Sequence, residues 1–156
     1  MFEQDEFWMR KAIECAAAAG NLNEVPIGAC LIDEGGKLLA IAGNRTITMS
    51  DPTAHAEILV LRAAAASIGN YRLTETVLYT TIEPCAMCAG ALVNARIKRL
   101  VFGARDERFG AVESVFQICN TSSLNHKIDI TSGVLAMDCR RLMQEFFKGK
   151  RIKAKG

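Results

Sequence analysis

Blocks of apolar residues, separated by short clusters of Gly, Pro, Asp and Asn, divide the 156-residue chain into candidate helices and strands. Asp5 reads as an N-cap, and Phe7 to Ala19 as a helix closed by Gly20. Ile27 to Ile32 is an apolar run with strand character. Asp33-Glu34-Gly35-Gly36 predicts a tight turn, and Lys37 to Ala42 the returning strand of a hairpin. Asp51-Pro52 is a cap followed by proline at a helix start, and that helix continues through Ala63–Ala66 to Gly69-Asn70. Val77 to Thr81 predicts a buried strand, and Pro84 opens a helix that ends near Asn94-Ala95. Arg99 to Gly103 is a fourth strand, followed by a loop-rich region with one short helical turn. Lys127 to Thr131 is a fifth strand, and Leu135 to Phe147 a final helix. Helices and strands alternate from residue 51 onward, which implies parallel strands with helical crossovers attached to an antiparallel N-terminal hairpin. The expected fold class is α/β: one mixed five-stranded sheet covered by helices on both faces. Nothing divides the chain, so residues 1–156 form a single domain.

Composition supports that reading. Half the residues are apolar and 23% are charged, a globular rather than disordered balance. The acidic start from Met1 to Glu6 has no apolar signal region, and the uncharged stretch from Pro84 to Ala95 is too short to span a bilayer. A soluble, cytoplasmic protein is expected. The net charge of +2 conceals a gradient: residues 1–57 carry −5, residues 58–95 zero and residues 96–156 +7. Five of those positive charges lie between Lys148 and Lys155, so residues 148–156 form a basic tail. A basic end suits a polyanionic partner; a solvated, frayed terminus is the other reading of the same residues.

Six cysteines, at 15, 30, 85, 88, 119 and 139, do not form a secreted disulfide pattern. Cys15, Cys30, Cys119 and Cys139 have no partner at motif spacing and read as small buried hydrophobes. Cys85 and Cys88 differ. Three residues apart in the first turn of a helix, they lie on one side of it, where the helix N-terminus favours thiolate. His55 supplies an imidazole. Three protein ligands leave a tetrahedral zinc with one open position, the arrangement of a catalytic site. Glu57 stands two residues from His55, and in a regular helix the two would point about 200° apart. They converge on one ion only if His55 precedes the helix and Glu57 lies just inside it. Two thiolates already neutralise Zn²⁺, so a nearby carboxylate that relays protons would assist attack by zinc-activated water. Glu57 is therefore assigned as the general acid/base and not as a ligand.

His-x-Glu followed by Pro-Cys-x-x-Cys is the signature of zinc nucleobase deaminases. A closed structural zinc site would need a fourth Cys or His at useful spacing, and the only other histidine is His126. A thioredoxin-like dithiol would need a later proline facing it, and the chain's prolines are Pro26, Pro52 and Pro84.

These residues resemble the bacterial tRNA-specific adenosine deaminases, within the cytidine deaminase-like superfamily. The likeness runs from Phe7-Trp8-Met9-Arg10 to Phe146-Phe147 and includes Val25-Pro26-Ile27-Gly28-Ala29, Asp51 to Ile58, Asn70-Tyr71-Arg72-Leu73, Glu83 to Ala91 and Val101 to Asp106. The resemblance implies a three-layer α-β-α fold, a homodimer, one zinc per chain and conversion of the wobble adenosine of a tRNA anticodon loop to inosine by attack at adenine C6. It implies that His55, Cys85 and Cys88 ligate the metal and that Glu57 shuttles protons. It also implies that Asn44 holds the flipped base, and that the backbone at Ala56 and Pro84 lines the reacting centre. Asp106, Asn125 and His126 match positions facing the anticodon loop. The resemblance further implies that Phe147 borders the flanking nucleotides, and Lys148, Lys150 and Arg151 suit phosphates. A free-base or nucleoside deaminase of the guanine or cytosine type shares the same zinc centre, and a non-catalytic RNA-binding subunit would share the fold. Glu57 argues against the latter, and the basic C-terminal third against the former.

Overall fold

The computed structural model describes residues 2–155, with side chains from 3 to 153; the side chain of Lys155, the last charge of the basic tail, lies outside the described residues. Three strands form the centre of the sheet because nearly every residue in them is apolar or can be satisfied internally. They are β1 (Gly28–Ile32), β3 (Val77–Ile82) and β4 (Arg99–Ala104). The edges are β2 (Leu38–Gly43) and β5 (Asp129–Thr131), which are half-exposed. The strand order is β2-β1-β3-β4-β5. β1 pairs antiparallel with β2 and with β3, whereas β3–β4 and β4–β5 are parallel. This is the expected mixed sheet with its N-terminal hairpin.

Alternation along the strands splits the core in two. Ala29, Leu31, Leu78, Leu100 and Phe102 face α2 (Ala56–Ile68) and α3 (Ala86–Ala95), meeting Val60, Leu61, Leu92 and Val93. Cys30, Ile32, Tyr79 and Val101 face the other way, toward Met9 and Ala12 of α1 (Phe2–Asn21) and Cys139 of α4 (Ala136–Lys155). α1 lies so close to β1 that a Cβ at Gly28 would sit 2.0 Å from the Ala12 carbonyl oxygen. Cys30, Cys119 and Cys139 are fully buried, as expected of small hydrophobes, and burial pushes each thiol up to about 12; Cys15 is half-buried.

Several element boundaries differ from the sequence expectation. α1 begins before Asp5, so Asp5 is not its cap. The Asp5 carboxylate instead accepts two bonds from the Arg99 guanidinium, at 3.0 and 2.6 Å, and one from the Tyr79 hydroxyl at 2.8 Å. α2 begins at Ala56 rather than at Pro52, because Asp51 closes its own turn by accepting from the Thr53 N–H and hydroxyl. Pro84 likewise lies outside α3, whose first helical residue is Ala86. Residues 105–128 contain turns but no helix among the described residues, the expected helical turn being a single i→i+4 bond from the Gly110 N–H to the Asp106 carbonyl, and β5 is three residues long rather than five. α4 continues past Phe147 to Lys155.

Candidate active site

The site is built where the chain leaves the sheet at one end. Gly28 of β1 pairs with Gly43 of β2, and Ala29 pairs with Thr80 of β3. The chain therefore emerges at the same end after β2, at Asn44, and after β3, at Glu83-Pro84-Cys85. Two helices start there. His55 is the N-cap of α2, with extended backbone (φ −74, ψ 150), and its carbonyl accepts the first helical bond from the Leu59 N–H. Cys85 is the N-cap of α3 (φ −75, ψ 177), and its carbonyl accepts from the Ala89 N–H. His55 thus precedes its helix and Glu57 lies inside the first turn, which solves the two-residue spacing problem.

His55 Nδ1 lies 3.6 Å from Cys85 Sγ and 3.5 Å from Cys88 Sγ, and the three ligand atoms all fall within 4.8 Å of one another. Ligands about 2.3 Å (sulfur) and 2.0 Å (nitrogen) from a tetrahedral zinc stand about 3.6 Å apart. The donor set and its spacing therefore fit that ion. Two helix N-termini converge on the cradle and favour negative charge there. Cys85 is held down at about 4, first by the hydrogen bond from the Cys88 thiol, then by the one from His55 and by the Cys88 backbone N–H. Cys88, buried and donating to Cys85, is pushed up, and His55 is raised by Cys85.

Glu57 is 3% exposed, and its Oε1 has no hydrogen-bond partner among the described residues. Burial pushes its carboxyl up to about 7, with the Cys85 charge adding to the shift. A buried carboxylate oxygen without a partner costs stability, and groups left in that state concentrate at functional sites. Proton exchange at the open side of the cradle would occupy the free oxygen.

Asn44 is buried, and its Oδ1 accepts from the Ala56 N–H at 2.8 Å. It thereby caps α2, and only its amide NH₂ remains to offer outward. Pro84 is buried and its carbonyl accepts from the Ala111 N–H at 2.8 Å. The Ala56 N–H and the Pro84 carbonyl are thus tied to Asn44 and Ala111, next to the ligands His55 and Cys85. Asp106 Oδ1 accepts from the Arg108 and Phe109 N–H groups and shapes the turn it opens.

Phe147 is 42% exposed and packs edge-on against Phe146, over which Lys150 Nζ sits at 5.2 Å. Phe146 and Lys150 line a shallow groove with Gly20, in the last turn of α1, and Asn23, in the connection from α1 to β1. The tail of α4 thus reaches the end of the sheet that carries the cradle. Asn125 and His126 do not. The Asn125 carbonyl accepts from Arg96, and His126 Nε2 bonds the Ile97 carbonyl at 2.7 Å, before β4 begins. Within one chain they lie at the opposite end of that strand, about 17 Å away along it.

Two further residues that sequence reasoning left without a role are buried acids. Glu24 accepts from the Ile47 and Thr48 N–H groups and from the hydroxyls of Thr46 and Thr48. Glu83 accepts from the N–H groups of Asp106, Val112, Glu113 and Ser114 and from the Ser114 hydroxyl. Each holds a loop beside the cradle. A Cβ at Gly110 would sit 2.3 Å from Glu83 Cδ, so this loop closes on Glu83 only with glycine there. Size does not locate the site. A surface depression of about 740 Å³ lies instead around Val77, Tyr79, Lys98 and Arg99, at the far end of the sheet.

A protein of Haemophilus influenzae named tRNA-specific adenosine deaminase is 48% identical over 153 residues, spanning 98% of this chain and 88% of its own. The chain belongs to the tRNA-specific adenosine deaminase family. A second deaminase of that name, from Agrobacterium fabrum, is 43% identical over 97% of this chain and 99% of its own. The MafB19-like deaminase family profile matches residues 3–151. A solved tRNA:A34 deaminase, which performs A-to-I editing at the wobble position, superposes with a TM-score of 0.84 at 43% identity, over 87% of this chain and 98% of that one. A guanine deaminase from Nitrosomonas europaea superposes at 0.75 with 28% identity, over 90% of this chain and 83% of that one. The deaminase fold is thus shared across substrates, while the higher identity falls on tRNA enzymes.

Proposed function

We propose that this chain hydrolyses the wobble adenosine of a tRNA anticodon loop to inosine, with one zinc ion held by His55, Cys85 and Cys88. The buried, unpartnered Glu57 oxygen beside a three-ligand N,S,S cradle carries the chemistry of the proposal, and the 48% identity to a tRNA-specific adenosine deaminase over 98% of the chain carries its substrate. When bound, zinc supplies a Lewis acid with one open position for water. Glu57 would take a proton from the attacking water and pass it to the adenine ring nitrogen as oxygen bonds to C6, then take the proton of the new C6 hydroxyl and pass it to the amine as the C6–N bond breaks and ammonia leaves. Its raised proton affinity suits both halves of that exchange. Asn44, fixed through its oxygen by the Ala56 N–H, offers its amide NH₂ to the base. Asp106, Phe147 and Lys150 serve the surrounding nucleotides. Lys148, Lys150 and Arg151 supply charge for a splayed, single-stranded loop.

A homodimer fits the same reading. α3 exposes Met87, and the segment packed beside it exposes Val115 and Phe116. Asn125 and His126 then serve an anticodon at this end of the sheet only from a second copy. No helix of the described residues is long and apolar enough to cross a membrane, and the proposal needs none.

Glu57→Gln tests the proton role. The variant should retain its metal and its affinity for an anticodon stem-loop, and lose inosine formation by at least about 100-fold. Loss of metal together with activity would make Glu57 a ligand instead.

A further inference from the structure

The segment from Asp106 to Gly110 is pinned beside the cradle at both ends. Asp106 N–H bonds Glu83 Oε1 at 3.1 Å, and Ala111 N–H bonds the Pro84 carbonyl at 2.8 Å, one residue ahead of Cys85. The turn is also closed on itself. The Gly110 N–H bonds the Asp106 carbonyl, and the Gly110 carbonyl accepts from Val115 and Phe116. At its apex stands Phe109, 64% exposed, with the Arg108 guanidinium 5.7 Å from the ring centroid. A large aromatic held in water on a rigid turn gains nothing for the fold by that exposure. Glu107, Arg108 and Phe109 are exposed together there, and the neighbouring Arg105 guanidinium is paired with Glu113 at 3.3 Å.

We infer that Phe109, backed by Arg108, is a stacking platform for an unpaired base of the RNA next to the reacting adenosine. The inference rests on the tRNA reading above and specifies one nucleotide contact within it. A cation on one face of the ring leaves the other for a base, and arginine beside the platform suits the adjoining phosphate. Every base has a π-face, so the contact adds affinity for single-stranded RNA with little choice among sequences. Because the turn is already fixed by Glu83 and Pro84, the platform needs no ordering when RNA binds.

The test is steady-state kinetics on an anticodon stem-loop with a wobble adenosine. A set of stem-loops, each lacking the base at one loop position, is run in parallel. Phe109→Ala should raise KM roughly ten-fold or more with kcat little changed, and Phe109→Trp should restore KM. Removing one particular base should raise the wild-type KM by a similar factor and abolish the response to Phe109→Ala. An unchanged KM in Phe109→Ala, or the same loss on every base-deleted RNA, would overturn the platform. Wild-type protein that makes no inosine on any stem-loop would instead overturn the tRNA reading itself.

Discussion

Glu24 and Glu83 act at the scale of single carboxylates. Burial alone would raise them. The hydrogen bonds from Thr48, Ile47 and Thr46 to Glu24, and from Ser114, Glu113 and Asp106 to Glu83, outweigh burial and hold both below the ordinary value of 4.5. A depressed folded-state value means that the charged form is the stabilising one. The stabilisation is complete above pH 4.5 and is lost as pH falls below it through the folded-state values. Melting temperature should therefore drop on acidification below that point. Glu83→Gln should lower stability by about 2 to 3 kcal/mol at neutral pH and make the acid drop shallower; an identical acid slope in the variant would contradict this. Neither residue was assigned a role from sequence. His55, Glu57, Cys85 and Cys88 were legible because metal chemistry demands particular residue types at short spacing. Glu83 bonds mainly to backbone N–H groups, up to 31 residues away, and any residue type can supply those.

At the scale of elements, local rules located every helix and strand but misplaced several ends. Asp5 has the residue type of a cap, yet it sits inside α1 because Arg99, from a strand 94 residues later, binds both of its oxygens. That pair ties α1 to β4, and Arg99 bonds the Thr131 hydroxyl of β5 as well. A tertiary ion pair outweighs a helix cap, which is worth about 1 kcal/mol. Asp5→Ala should cost on the order of 3 kcal/mol, since it leaves the partly buried Arg99 unpaired. Urea unfolding would measure it, and a cost within about 0.5 kcal/mol, typical of a surface change, would mean that the pair adds nothing. Pro52 misled in a different way. It does lie near a helix start, but the Asp51 oxygen is taken by Thr53, and residues 52–54 pass before His55 caps α2.

At the scale of the whole molecule, the charge gradient acquires a geometry. The basic tail continues α4 to the same end of the sheet as the cradle, beside the α1 terminus. The sign of that charge is legible in the residues but its direction is not, because a helix's course over a sheet depends on packing far from the tail itself. Replacing Lys148, Lys150 and Arg151 with Gln should weaken stem-loop binding and flatten the plot of log affinity against log salt by about 0.7 per lost contact. An unchanged slope would return the tail to an ordinary solvated terminus.

The central claim concerns substrate, because the cradle and Glu57 alone do not distinguish an RNA adenosine from a free base. The deciding measurement is mass-spectrometric detection of product from zinc-loaded protein given, side by side, an anticodon stem-loop with a wobble adenosine, free adenosine, guanine and cytosine. Inosine in the stem-loop, with negligible conversion of the other three, is the predicted result. Rapid conversion of guanine or cytosine with the stem-loop untouched would contradict it.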